Sequence, residues 1–171
     1  MSKIVKTLLE ICFLQKGPED LPSQYELLFV LLGFNLAVSV WLGSVIHGYQ
    51  LAILLSIMGV ILSLIFIKVL LIKNPERFVQ TFCAMLGAAI LIDIASVPIM
   101  YPLLSETLDE NIAVIFSILS LLIYVWIVVV YGFIFSRAIS STLGFGISIS
   151  IGYILLSYII FGSLLSGRAS S

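Results

Sequence analysis

Asp93 is the residue in this sequence best placed to do chemistry. It stands inside residues 78–100, an apolar run that reads FVQTFCAMLGAAILIDIASVPIM. That run is long enough to cross a bilayer, and Asp93 falls in its second half, about seven residues before Met100. A carboxylate in hydrocarbon costs about 2.5–3.5 kcal/mol on insertion scales, so it must face the bundle, a water-filled cavity or a partner. Helical spacing puts Ala89 and Ser96 on the same face as Asp93, and Pro98 has no N–H to give the Ile94 carbonyl. An acid, a hydroxyl and a freed carbonyl thus gather within about one turn. Two readings follow: a proton or cation site, or a hydrogen bond between helices that holds the bundle together. His47, the only histidine, is the third candidate polar residue. It lies at the end of an apolar run, where an interfacial role is the alternative to a functional one. Alone it cannot complete a usual zinc site.

The elements that position these residues follow from composition. Of 171 residues, 61% are hydrophobic and 10% charged, with a mean hydropathy of +1.26. A soluble domain is nearer half apolar and a quarter charged. The excess predicts an all-α polytopic membrane protein, because a chain in lipid must satisfy its backbone within each segment. The apolar runs are continuous, without the alternation of a barrel strand. Five spans are expected, at 24–46, 49–72, 78–100, 112–135 and 143–165, each about 33–37 Å long. Residues 2–15 read as a short amphipathic helix, too charged to span. It either lies in the headgroup layer or packs on the bundle. The expected division is an interfacial segment at 1–22, a five-helix transmembrane domain at 23–166 and a tail at 167–171. No cleavable signal peptide is apparent, so the first span is expected to act as an uncleaved anchor.

Loop residues mark the span ends. Gly17 is expected to close the first helix, with Pro18 unable to continue it. Ser23 and Glu26 have capping-box spacing, as do Thr107 and Glu110. Asn74, Pro75 and Glu76 form a helix start. With five spans, Lys3, Lys6, Lys16, Lys73, Arg77 and Arg137 fall on one side. Lys68 is able to snorkel to that side, and only Arg168 lies opposite. This bias predicts a cytoplasmic N-terminus and a C-terminus outside.

Small residues suggest where helices approach. In the last span Gly144, Ser148 and Gly152 form a ridge at helical spacing, with Gly146 and Ser150 as a second ridge beside it. Internal helix packing is the leading use expected of Gly144, Ser148 and Gly152, with dimerisation as the alternative. Cys12 and Cys83 are far apart in sequence and read as small apolar filler. No Cys or His cluster, P-loop or hydrolase motif occurs, so neither a metal, a cofactor nor an enzyme activity is expected. A net charge of −1 argues against nucleic acid as a partner.

The order of elements resembles the YIP-domain membrane proteins: a short N-terminal segment, five closely spaced spans and a short tail. The elbow Gly17-Pro18-Glu19-Asp20-Leu21-Pro22 is similar to one in small bacterial inner-membrane proteins placed near that group. The Asp-Tyr-Gly-Pro type of motif of eukaryotic members does not occur here. The resemblance implies an integral membrane protein that organises the bilayer or recruits partners. The leading expectation is therefore a non-enzymatic accessory or scaffold protein of the inner membrane, in contact with lipid and other membrane subunits. The alternative is a transporter or channel component with Asp93 as its proton or cation site.

Overall fold

The computed structural model describes residues 2–103 and 109–169. Six helices form among them: α1 (Ser2–Cys12), α2 (Tyr25–His47), α3 (Tyr49–Leu70), α4 (Phe78–Leu103), α5 (Glu110–Ala138) and α6 (Leu143–Ala169). No strand occurs among the described residues. Helices α2 to α6 are each long and apolar enough to cross a membrane, which defines an all-α, multi-pass bundle.

The chain makes two hairpins, α2–α3 and α5–α6, and α4 lies between α2 and α5. A lighter contact between α3 and α6 closes the ring. The α2–α3 turn is one residue, Gly48, whose φ of 76° is left-handed and suits glycine. Within α5–α6 the backbones come close at Gly146, where an added Cβ would stand 2.7 Å from the Ser136 Cβ. The second ridge, Gly146 and Ser150, is therefore the one turned inward, and both residues are buried. Gly144, Ser148 and Gly152 are exposed, and nothing lies within 4 Å of a Cβ built at either glycine.

Helix α1 settles against protein rather than leaving its apolar face to lipid. Leu8, Ile11 and Cys12 are buried against α4 and α5. The Trp126 indole N–H donates to the Cys12 carbonyl at 3.0 Å, and the Trp126 ring lies 6.2 Å from that of Phe13. As a result the first turns of α4 are enclosed on all sides, with every residue from Thr81 to Ala88 buried. Lys16 donates to Glu10 at 2.8 Å, a bond that holds its ammonium pKa above the ordinary value.

Several helix ends differ from expectation. Gly17 does not close α1. The helix stops at Cys12, Leu14 takes the left-handed conformation, and Gly17 is extended at φ −99°. Gln24 rather than Ser23 stands at the cap of α2, with no side-chain cap bond, so the Ser23–Glu26 box does not form. Asn74 precedes a 3-10 turn over Pro75–Arg77 that runs directly into α4, again without a side-chain cap bond. Thr107 lies outside the described residues. Asp109 caps α5 instead, accepting from the Asn111 N–H at 2.9 Å. Helix α4 continues through Pro98 and Pro102. The lost donor at Pro98 leaves the axis helical because one missing bond in a long apolar segment is tolerated when its neighbours hold it.

The elbow is the most polar joint of the bundle. Gly17 N–H donates to the Asp20 carboxylate at 2.9 Å, and the Gln80 amide donates to the Leu21 carbonyl at 2.7 Å. Glu19 pairs with Arg137. Arg77 donates to the carbonyls of Arg137 and Ala138 and to the Ser140 hydroxyl, satisfying the end of α5.

Candidate functional site

The ring of helices encloses a cavity of about 420 Å³, and Asp93 faces it from α4. Helix α2 contributes Asn35 and Ser39, one turn apart, and α3 contributes Ser56 and Ser63, two turns apart. Tyr131 of α5 and Tyr153 of α6 complete the deep wall. Polar side chains from five apolar helices thus share one space.

The cavity has a floor and a mouth. The floor is aromatic. Phe66 lies 4.8 Å from Tyr153 and 5.5 Å from Phe135, and Tyr131 lies 6.1 Å from both Phe135 and Tyr153, as ring centroids. Below these rings the chain is packed solid by Phe82 and Ile67, both fully buried. At the other end the walls reach His47, which is exposed, and Phe161 and Leu165 of α6. The cavity therefore runs from the tyrosines of its deep wall to the α2–α3 turn, where His47 is exposed.

Several polar groups in it lack a protein hydrogen-bond partner, Asp93 and Asn35 among them. Among the described residues no hydrogen bond or ion pair ends on the Asp93 carboxylate. None ends on the Asn35 amide either, although Asn35 is buried. Ser63 differs. Its hydroxyl donates back to the carbonyls of Gly59 and Val60 at 2.9 Å, so its oxygen is turned into an acceptor.

The three candidate residues thus divide. Asp93 and His47 line the same cavity, at its middle and its mouth. Ser96 does not join them. Its hydroxyl donates to the Asp93 backbone carbonyl at 2.7 Å, and it borders a separate apolar groove with Trp41 and Met100. Asn35, Ser39, Ser56, Ser63 and the two tyrosines escaped the sequence reading. The only signals for them are the four-residue step from Asn35 to Ser39 and the seven-residue step from Ser56 to Ser63. No group of three or more His, Cys, Asp or Glu side chains suited to a metal occurs among the described residues.

The fold and this site define the class: a multi-pass helical membrane protein with a cavity between its helices that holds one carboxylate among several polar side chains. No family model, curated protein or solved structure matches the chain.

Proposed function

We propose that this protein is a transport or channel component of a cell inner membrane, with Asp93 as the site of a proton or small cation. The observation that carries the reading is the carboxylate itself. It faces a cavity lined by polar side chains inside a ring of lipid-length helices, and no protein partner ends on it among the described residues. A carboxylate so placed is relieved of its desolvation cost by protonation or by a mobile cation. The excess of Lys and Arg at the α1 end favours a cytoplasmic N-terminus, which turns the His47 mouth outward. Reconstitution into liposomes tests this. An imposed proton or cation gradient should drive a flux through the wild type and none through Asp93→Asn, whose amide cannot titrate. Equal flux through both would end the proposal.

A second reading, an accessory or scaffold subunit as the YIP-domain resemblance implies, draws on the outer ridge of α6. Gly144, Ser148 and Gly152 leave a flat exposed face on which another helix can come close. Purification in gentle detergent separates the two readings. A stoichiometric partner that is lost when Gly152→Leu crowds this ridge supports the subunit, and a solitary protein with flux supports the carrier.

A further inference from the structure

The cavity places more constraint on its occupant than the word cation does. It has a single carboxylate, Asp93, and no Lys or Arg among the residues that line it. The basic side chains that are placed lie elsewhere. Lys68 stands 5.9 Å from the Phe78 ring, and Arg77 and Arg137 are held at the elbow. One negative charge in a low-dielectric space is balanced by one positive charge, not two.

The polar walls carry hydroxyl and amide donors, but they also offer acceptors to a cation. The Asp93 carboxylate accepts only, and the Ser63 oxygen, whose proton goes to the Gly59 and Val60 carbonyls, is an acceptor shared with the neighbouring Tyr153 hydroxyl. The Asn35 carbonyl adds another acceptor without a protein partner. An occupant bearing several N–H donors satisfies this set. A bare divalent ion does not fit. Such ions take about six to eight oxygen ligands, usually from several carboxylates, and no such cluster occurs among the described residues.

A bare monovalent ion would fill little of this space. A desolvated ion needs a tight shell of oxygens, whereas this space is about 420 Å³. Cavities that hold small organic ligands measure about 300–1,000 Å³. The remaining walls are aromatic: Tyr131 and Tyr153 at the floor and Phe161 toward the mouth. Aromatic faces attract organic cations, by about 2 kcal/mol or more when desolvated, and they also bury alkyl groups.

We propose that the cavity binds a small organic monocation, an alkylammonium, with its N–H groups on Asp93, Asn35 and Ser63 and its alkyl part against Tyr131 and Tyr153. This rests on the reading of Asp93 as a cation site and names the class of cation. A proton or an alkali ion would need no alkyl-sized space. A neutral amine would leave the Asp93 charge unbalanced.

The test is a binding measurement on the full chain in detergent, by calorimetry and by thermal shift. The probes are propylammonium chloride and, at equal ionic strength, sodium, potassium and magnesium chloride. Propylammonium should bind wild type saturably and at least tenfold more tightly than any of the metal ions. Asp93→Asn should weaken it at least tenfold, and Tyr153→Leu should weaken it while sparing any sodium response. The wild-type series decides the matter even if a variant fails to fold. Saturation by sodium or potassium as tight as that by propylammonium would overturn the proposal, as would no saturation by propylammonium in the millimolar range. An Asp93-dependent proton flux without propylammonium binding would leave the cation-site reading standing and remove this one. Saturable propylammonium binding without any flux would leave this proposal standing and remove the transport reading.

Discussion

Phe66 of α3 and Tyr153 of α6 meet with ring centroids 4.8 Å apart at 52°. Their contact crosses the light seam between α3 and α6, and Phe66 backs Tyr153, which lines the cavity. One pair of rings therefore both closes the ring of helices and holds Tyr153 in the cavity wall. A double-mutant cycle with Phe66→Ala and Tyr153→Ala, read from unfolding in detergent, should give a coupling of about 0.5–1.5 kcal/mol. Additive single effects would show that the rings do not hold the seam.

The attachment of α1 depends on one directional bond as well as on Leu8 and Ile11. Trp126→Phe keeps a ring beside Phe13 but removes the donor to the Cys12 carbonyl. It should cost about 0.5–1.5 kcal/mol and raise the rate of proteolysis at the elbow. An unchanged cleavage rate would mean that α1 is held by its apolar face alone.

The two ridges of α6 should respond oppositely to added bulk. Gly146→Ala drives a methyl into Ser136 and should force α5 and α6 apart, lowering the melting temperature by several degrees. Gly144→Ala meets nothing within 4 Å and should change the melting temperature little, apart from a small gain in helix propensity. Equal losses at both positions would show that the exposed ridge is also covered in the membrane.

Burial pushes the Cys12 thiol up to about 11, by desolvation of its charged form. At pH 8 only roughly one thiol in a thousand is then ionised. Iodoacetamide should leave Cys12 unmodified in the folded protein and modify it quickly in dodecyl sulfate, as peptide mapping would show. The folded state holds this proton more tightly than the unfolded chain does. Stability should therefore fall as pH rises from the ordinary thiol value of 9.0 toward about 11. Rapid labelling at pH 8 in mild detergent would contradict the packing of α1 on the bundle.

How far the sequence reveals this structure depends on the kind of signal. The five long helices are legible because lipid demands long continuous apolar segments, and length and hydropathy suffice to find them. Their rotation is not legible. A span that is apolar all round has no polar face to mark its outside, so nothing in residues 128–132 says that Tyr131 turns inward. Asn35 and Ser39 carry a faint helical period, but serine is also common on lipid-facing helices. Helix α1 shows the same gap. Its apolar face is plain from Leu8, Ile11 and Cys12, yet periodicity does not distinguish protein from lipid as the surface that covers it. The Ser23 cap failed for a further reason. It matches a motif by spacing alone, whereas a cap forms only where the backbone dihedrals let the side chain reach back.

The central claim is that a cavity open on the His47 side leads to Asp93. Ser39→Cys places a thiol on its wall, in a protein whose Cys12 and Cys83 are buried. The measurement is its rate of modification by a membrane-impermeant, positively charged methanethiosulfonate, applied separately to vesicles of the two orientations. The account predicts labelling from the His47 side only, slowed by Asp93→Asn for the charged reagent but not for a neutral one of the same size. Labelling from neither side, or only from the α1 side, would contradict it.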